Sequence, residues 1–268
     1  MHIHYEELAD VTRYIESHAE LTLEDNKSTS ENILRNLRRY SALDEHSRLL
    51  EIGIGMGWFQ IYCRQQGLNI GGLEISPQLA EVARQIGRRY EQELDLKVGN
   101  IEEFDLGSNN YDAIIASSVF EHVEDWKSGV RKLFEALRPG GILYFDSTNK
   151  FSLVSGEYNF PLYGWLPDSW RYRLRIARQG PDIMQLGIDF HQFTHSLLRR
   201  YFKNVGFARV MDFVEFKDLS SNGLAQWKRV VYRTLKKVRP LKHVALTFAP
   251  ATIFICVKTP LPGKQKLN

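Results

Sequence analysis

Alternating glycines stand between an apolar segment and an amphipathic one. Gly53, Gly55 and Gly57 follow closely after Glu51. Glycine at such a junction lets the backbone approach a ligand closely. The spacing differs from the Gly-x-Gly-x-x-Gly of dinucleotide-binding folds, and a carboxylate here opposes a pyrophosphate but suits a cationic group. The motif predicts a site for a ligand that carries a positive charge, with a plain glycine turn as the alternative.

A second carboxylate, Glu74, closes the next predicted strand, 23 residues after Glu51. A carboxylate at the end of a second parallel strand can accept hydrogen bonds from both hydroxyls of a ribose. An exposed acid at a strand end is the alternative interpretation. With the glycine turn at the preceding strand, we interpret Glu74 as a ribose-binding residue.

Three histidines are candidates for moving a proton, because imidazole titrates near neutral pH. We predict His191 and His122 as catalytic residues, with Glu121 and Asp189 as orienting partners, and we place His195 on a helix surface. A structural role remains the alternative for both catalytic candidates: His191 could order the segment before the next helix, and His122 could cap the next loop.

The segments around these residues alternate between strand and helix patterns. Strands are predicted at residues 48–52, 68–75, 94–98, 111–119, 142–145, 208–216 and 252–258, and helices at 8–18, 30–40, 58–66, 126–137, 194–204 and from Pro77 onward. This pattern predicts a doubly wound α/β fold with a seven-stranded, mostly parallel sheet. Ligands of such sheets bind beyond the carboxyl ends of the strands.

Four segments together resemble the motifs of class I S-adenosylmethionine-dependent methyltransferases. They are Leu49–Gly57, Gly72–Ser76, Tyr111–Ile115 with Phe120–Val123, and Leu137–Leu143. The likeness covers about residues 45–216 and is greatest to the ubiquinone-biosynthesis O-methyltransferases and similar bacterial small-molecule enzymes. The resemblance implies a Rossmann-like fold, S-adenosyl-L-methionine as cofactor, and methyl transfer by in-line displacement to an oxygen of a lipid-like, quinol or glycan-linked acceptor.

The resemblance also implies a role for each matching residue in cofactor binding. The glycines line the methionine and ribose parts, Glu51 lies near the methionine amino group, and Glu74 binds the ribose hydroxyls. The adenine and the remaining contacts fall to Ile75, Asn100, Ile101 and Ser117. Asn100 stands where the family usually has aspartate, and its side-chain oxygen can still accept a hydrogen bond.

A metal is not predicted, although some ubiquinone-pathway relatives have a Glu-x-x-Glu-His pattern linked to a divalent ion. The matching stretch here is Ser118-Val119-Phe120-Glu121-His122, which lacks the first carboxylate. The sequence also has only two cysteines, Cys63 and Cys256, too few for a disulfide framework or a four-thiolate zinc site.

The 268 residues, of which 43% are hydrophobic, can form a sizeable core. We predict one domain, divided into an N-terminal helical segment (1–46), a cofactor-binding half (47–150), a lid segment (151–193) and a C-terminal segment (194–268). No apolar run reaches the roughly 20 residues that span a bilayer, and the start has no signal-peptide pattern. We therefore expect a cytoplasmic location.

Charge is distributed unevenly along the chain. Residues 1–150 carry 16 Lys or Arg and 25 Asp or Glu, whereas residues 151–268 carry 19 and 7, giving net charges of −9 and +12. The lid segment mixes aromatics with Arg171, Arg173, Arg175 and Arg178, and residues 224–238 form a basic amphipathic segment. These features predict either an amphipathic or anionic acceptor with peripheral membrane contact, or a solvated basic face.

Two other functions remain as alternatives. The basic second half could serve a nucleic-acid methyltransferase, but the Asn/Asp-Pro-Pro-aromatic tetrad is missing where Ser117-Ser118-Val119-Phe120 stands. We therefore predict no nucleic-acid partner. A non-catalytic cofactor-binding scaffold is the third possibility, and the full glycine motif with both acids argues against it.

Overall fold

The structure is a computed structural model that describes residues 11–155, 160–179, 189–220 and 224–259. Within these ranges, seven strands form one sheet. They are β1 (Arg48–Ile52), β2 (Asn69–Glu74), β3 (Asp95–Val98), β4 (Tyr111–Ser117), β5 (Leu137–Thr148), β6 (Phe207–Asp212) and β7 (Ala251–Lys258). Their order is β3-β2-β1-β4-β5-β7-β6, and β7 runs antiparallel to both of its neighbours.

Ten α-helices lie in the described part of the chain. They are α1 (Thr12–His18), α2 (Leu23–Arg38), α3 (Trp58–Gln65), α4 (Pro77–Arg89), α5 (Trp126–Ala136), α6 (Asp168–Gln179), α7 (His195–Val205), α8 (Phe213–Phe216), α9 (Gln226–Lys237) and α10 (Arg239–Thr247). Helices cover both faces of the sheet, so the predicted doubly wound, mostly parallel α/β fold is confirmed.

The strand order reverses between β1 and β4, which are paired in parallel. From this point the chain builds outward to β2 and β3 on one side and to β5 on the other. Residues 113–116 of β4 are completely buried, as expected for a central strand covered on both faces. The carboxyl ends of β1, β2 and β4 therefore meet at a crevice, where doubly wound sheets bind ligands.

Helix α2 begins earlier than the sequence pattern predicted. Its N-cap is Thr22, whose hydroxyl accepts from the backbone N–H of Asp25, while the Asp25 carboxylate accepts from the N–H of Thr22. This reciprocal capping box fixes the start of the helix. The helix start predicted at residue 30 was therefore wrong, because Ser30 lies buried in the interior of α2.

Two strand boundaries also differ from the prediction. β6 ends at Asp212, not at residue 216, because the Asp212 carboxylate accepts from the N–H groups of Val214 and Glu215 and thereby starts α8. β5 begins at Leu137, directly after α5, and continues through Pro139. Pro139 therefore lies within a strand and does not itself end the helix.

The lid segment is more regular than expected, because it contains α6. Parts of it, including Tyr158 and the side chain of Arg178, lie outside the described residues, as do the predicted helix start at residue 8 and the tail after residue 259. The division of the chain into four segments remains a prediction.

Candidate functional site

The glycine turn, residues 53–57, joins β1 to α3 and requires glycine at more than one position. Gly53, Gly55 and Gly57 have φ values of +65°, +53° and +79°, in the region that L side chains rarely adopt. A β-carbon on Gly53 would also lie 2.4 Å from Cγ2 of Val119. The Gly53 N–H donates to the carbonyl of Leu73 on β2 at 2.8 Å. The turn therefore needs glycine for its backbone conformation and, at Gly53, for the close approach of Val119.

Glu51 is a buried carboxylate at the end of β1, just before the glycine turn. Nε2 of Gln60, on α3, donates to Glu51 Oε2 at 3.0 Å and to the carbonyl of Gly71 at 3.0 Å. Burial raises the pKa of Glu51 to about 8, against the opposing effect of the Gln60 hydrogen bond. A cation placed beside it would favour the ionised form.

Glu74 ends β2 on the other side of the turn. Its Oε1 accepts from the backbone N–H of Ser76 at 3.1 Å. Burial raises the pKa of Glu74, and the N–H groups of Ser76, Gly55 and Ile54 act in the opposite direction. The carboxylate therefore lies against the glycine turn. The N–H of Ile75 acts in the same direction, so the carboxylate is held by backbone donors from the glycine turn and from the residues just before α4.

Tyr14, on α1, also belongs to this site, although no motif in the sequence points to it. A β-carbon on Gly55 would lie 3.1 Å from the Tyr14 hydroxyl oxygen. Burial and the nearby charges of Glu74 and Glu51 raise the pKa of Tyr14. Its ring stacks on His18 with centroids 4.1 Å apart. Helix α1 thus covers the glycine turn with an aromatic side chain.

The remaining predicted cofactor residues lie at the same edge of the sheet. Asn100 Oδ1 accepts from the N–H of Glu102 at 2.9 Å, so this side chain shapes the turn after β3. Ile101 is buried and Ile75 is half-buried. Ser117 Oγ donates to Asp146 Oδ2 at 2.7 Å, which leaves its backbone as the part available to a ligand. Their contacts with a cofactor remain predictions.

A polar cavity of about 130 Å³, the β4–β5 cavity, opens beyond the ends of those two strands. Its lining consists of Ser118, Glu121, Ser147, Thr148, Asn149, Ser152, Ser155, Gly164, Gln192, Pro250 and Ala251. The Glu121 side chain is buried, and Ser147 Oγ donates to Glu121 Oε2 at 2.7 Å. The cavity therefore offers a carboxylate and several hydroxyls to a small polar group.

The β4–β5 cavity and the glycine turn are neighbours. Val119 packs against Gly53, and the adjacent Ser118 lines the cavity. Ser118 has a φ of +52°, and its N–H donates to the carbonyl of Asp146 at 3.1 Å. The backbone after β4 thus places two consecutive residues, Ser118 and Val119, against the cavity and against the glycine turn.

Neither histidine predicted to be catalytic is among the described residues that line the β4–β5 cavity. His191 Nε2 lies 2.9 Å from the carbonyl oxygen of Glu124, and its ring meets Trp126 edge-on. Its backbone N–H donates to the carbonyl of Glu121 at 3.1 Å. His122 is half-buried in a single 3₁₀ turn, residues 120–122. Catalytic roles for both remain predictions.

His195 is not on a helix surface, so that prediction was wrong. The side chain is buried, and its ring stacks on Phe254 of β7 with centroids 4.9 Å apart. Its Nε2 lies 3.6 Å from Asp212 Oδ2. His195 is the first residue of α7, directly after the N-cap Thr194, and from this position its side chain faces the sheet.

Two lid arginines are also placed differently from the expectation that they face an acceptor. Arg171 and Arg175, one helical turn apart on α6, are buried, and both pair with the buried carboxylate of Asp189. Gln192 Nε2 also donates to Asp189, at 2.9 Å. Arg173, by contrast, is exposed. Asp189 thus orders the lid segment, and its predicted role as an orienting partner of a histidine stays a prediction.

In the described ranges, no group of three or more His, Cys, Asp or Glu is placed to hold a metal ion. Ser118 stands where a Glu-x-x-Glu-His pattern ending at His122 would need its first carboxylate. The expectation that no metal is used remains a prediction.

The comparisons with known proteins point to one family. Residues 50–145, from β1 into β5, match a family model described as a methyltransferase domain. The ubiquinone biosynthesis O-methyltransferase of Methylocella silvestris is 29% identical over 136 residues, which is 47% of this chain and 52% of that protein. The chain therefore spans about half the length of the curated relatives it matches first.

Solved structures share the fold across nearly the whole chain. An S-adenosylmethionine-dependent methyltransferase from Archaeoglobus fulgidus superposes with a TM-score of 0.56 and 15% identity, covering 93% of this chain and 100% of that one. Phosphoethanolamine N-methyltransferase 2 from Haemonchus contortus, in complex with S-adenosyl-L-methionine, gives 0.57 and 16%, covering 96% and 60%. At such identities the likeness concerns the fold, and it confirms the one predicted.

Proposed function

We propose that this chain, whose residues 50–145 match a methyltransferase domain family, transfers a methyl group from S-adenosyl-L-methionine to an oxygen of a small-molecule acceptor. The observation that carries the proposal is the adjacency of two different sites. The glycine turn with Glu51 and Glu74 lies across β1 and β2, and the β4–β5 cavity lies one residue away, beyond Val119.

The cofactor site fits S-adenosylmethionine by its shape and by its charge. The three glycines all have positive φ angles and carry no side chains of their own, so the turn can present its backbone to a ligand. We assign Glu51 to the ammonium group of the methionine part and Glu74 to the ribose hydroxyls. When bound, the cofactor supplies a methyl group on a positively charged sulfur. Two buried carboxylates suit such a cationic ligand and disfavour a pyrophosphate.

We assign removal of the acceptor's proton to Glu121 and not to a histidine. Its carboxylate lines the β4–β5 cavity and is oriented by the hydroxyl of Ser147. A carboxylate within hydrogen-bond reach of an acceptor hydroxyl can take its proton as the oxygen attacks. The cavity, at about 130 Å³, is slightly smaller than the apolar cavity of about 150 Å³ that holds benzene, so we take it to receive only the polar group of the acceptor that is methylated.

The choice of oxygen as the acceptor atom draws support from the curated relatives, which are named as O-methyltransferases of ubiquinone biosynthesis. The lining of the cavity agrees with a hydroxylated acceptor, because Ser118, Ser147 and Gln192 can each hydrogen-bond to it. A quinol, a lipid head group and a glycan hydroxyl all present such an oxygen.

The proposal is tested first by cofactor binding and then by turnover. Calorimetry should show binding of S-adenosylmethionine and S-adenosylhomocysteine, and release of the latter should be followed with quinol, lipid and glycan acceptors. With an acceptor in hand, Glu121→Gln should lower kcat by roughly 10²- to 10⁴-fold and leave cofactor affinity unchanged.

Glu135→Gln, at an exposed position of α5, is the matched control and should behave as wild type. Absence of binding of either cofactor form would overturn the proposal as a whole. A Glu121→Gln enzyme with wild-type turnover would remove Glu121 from the reaction and leave the cofactor assignment standing.

A further inference from the structure

Helices α9 and α10 carry a strongly positive surface that the proposed reaction does not use. Residues 226–247 contain seven Lys or Arg and no Asp or Glu, and no acidic residue follows Asp218 anywhere in the sequence. Lys228, Arg233, Lys237 and Arg239 are exposed. Lys242 is different, because it forms ion pairs with Asp212 and Glu215 at 2.8 and 2.7 Å and ties α10 to the body.

The same two helices expose large apolar side chains at helical spacing. On α9, Trp227 and Val231 are 65% and 45% exposed, and Val238, directly after the helix, is 44% exposed. Their spacing along the chain is i, i+4 and i+11, which places the three side chains on one side of the helix. On α10, the exposed residues are Leu241 and Val244, with Phe248 just beyond it. Each helix has one buried position, Leu235 of α9 and Leu246 of α10, and both pack with Val214 in a small cluster.

This surface, the α9–α10 face, continues to the rim of the β4–β5 cavity. The Phe248 ring stacks with Trp165 of the lid segment at 6.2 Å, and Trp165 Nε1 donates to the carbonyl of Ser152, which lines the cavity. Asn149 Nδ2 donates to the carbonyls of Leu246, Thr247 and Ala249, at 3.1, 3.0 and 2.7 Å. The end of α10 is therefore fixed beside the mouth of the cavity.

We propose that the α9–α10 face binds the surface of an anionic lipid bilayer. A helix that combines a Lys- and Arg-rich side with exposed Trp and aliphatic residues lies in the interface plane of a membrane, with its apolar side among the acyl chains. The absence of acidic residues adds attraction to anionic head groups, since each cation near the surface strengthens binding. Among the helices in the described ranges, none is both long and apolar enough to cross a bilayer.

Lipid explains the apolar side chains better than nucleic acid does. A nucleic acid would use the cations, but Trp227, Val231 and Leu241 would gain little against a phosphate backbone. Exposed apolar patches of this kind mark membrane or protein contacts, and the concentration of positive charge on the same helices selects an anionic lipid surface. This face is separate from the glycine turn, so its role does not depend on methyl transfer.

The test is flotation of the full chain with phosphatidylcholine vesicles that either contain or lack phosphatidylglycerol. Wild type should float with the anionic vesicles only, and added salt should release it. Lys228→Gln/Arg233→Gln/Lys237→Gln should weaken binding by roughly 10- to 100-fold. Trp227→Ser/Val231→Ser should also weaken vesicle binding. Added salt should not mimic this effect, because the variant removes apolar side chains and not charges. The matched control Arg88→Gln/Arg89→Gln/Lys97→Gln removes three exposed charges from α4 and β3 and should bind like wild type.

Binding of S-adenosylhomocysteine, measured on every variant, shows that each one is folded and keeps this test separate from that of the reaction. Equal flotation with both vesicle types would overturn the inference, and so would a charge variant that floats like its control. Tight binding of a labelled RNA that only the charge variant loses, without vesicle binding, would assign the face to nucleic acid. A dimer in solution that Trp227→Ser/Val231→Ser dissociates, again without vesicle binding, would assign it to a second copy of the chain.

Discussion

At the scale of single residues, Glu51 links the protonation of the site to the stability of the fold. Its carboxyl group ionises near pH 4.5 in the unfolded chain, whereas burial raises the pKa to about 8 in the folded protein. Between these pH values the folded state holds a proton that the unfolded state has lost. The free energy of unfolding should therefore fall as the pH rises from about 4.5 to about 8, by at most about 1.4 kcal/mol per pH unit from this group, and level off above.

Glu51→Gln should remove this contribution, because glutamine can still accept the hydrogen bond from Gln60 and does not ionise. Urea unfolding at pH 5, 7 and 9 should show the variant gaining stability over wild type as the pH rises. Parallel pH profiles for the two proteins would mean that Glu51 is already ionised in the folded state.

His191 is expected to act on the lid and not on the reacting atoms. Its ring is held by the Glu124 carbonyl and by Trp126, and its N–H supports the backbone of Glu121. His191→Ala should therefore raise the KM of an identified acceptor more than it lowers kcat, with cofactor affinity unchanged. Steady-state kinetics decide the point, since a loss of turnover by roughly 10²-fold or more at constant KM would restore His191 as a general base.

At the scale of elements, the position of α1 over the glycine turn suggests a role for this helix in cofactor binding. Val11, Tyr14 and Ile15 pack against the cluster that contains Ile54 and Met56 of the glycine turn. Since the Tyr14 ring covers the turn, we expect it to form part of the cofactor contact. Tyr14→Ala should weaken S-adenosylhomocysteine binding several-fold and increase amide hydrogen exchange in residues 12–18. Tighter binding by Tyr14→Ala would show instead that the ring competes with the cofactor for the turn.

The elements that the sequence predicts well are those with a simple burial pattern. β1 has its predicted bounds, and β4 is recognisable because parallel strands covered on both faces have continuous apolar runs. Helix α6 escapes prediction for the opposite reason. Its buried positions are Arg171 and Arg175, whose charges are balanced by Asp189, and a hydrophobic periodicity cannot reveal such a face.

In the candidate site, residues close together in the sequence could be predicted, whereas residues that meet only in the folded chain could not. The glycine turn, Glu51 and Glu74 are defined by residue type and spacing within 24 residues, so the sequence locates them together. Tyr14 reaches the turn from a separate helix, and the cavity around Glu121 is closed by Gln192, Pro250 and Ala251 from distant parts of the chain. Those contacts depend on how the helices and strands pack together, and the spacing of residues along the chain does not reveal that packing.

At the scale of the whole molecule, cofactor binding should appear as added stability of the complete fold. Strands β1 to β5 share one sheet with β6 and β7. We therefore expect a ligand at the carboxyl ends of β1 and β2 to stabilise the chain as a unit. A ligand present at 100 times its Kd adds about 2.7 kcal/mol to the free energy of unfolding. Glu74→Ala removes a buried acceptor for the ribose hydroxyls, which should weaken binding roughly 10- to 150-fold.

At the same concentration of S-adenosylhomocysteine, the stabilisation of Glu74→Ala should therefore be only about 0.3 to 1.4 kcal/mol. Urea unfolding with and without ligand measures both proteins on one scale, and Glu135→Gln, at an exposed position of α5, provides the control with full stabilisation. The comparison is made within each protein, so any change that the mutation causes in the ligand-free fold cancels. Equal stabilisation of wild type and Glu74→Ala would exclude Glu74 from cofactor binding, because a ligand that contacts its carboxylate must lose that contact in the variant.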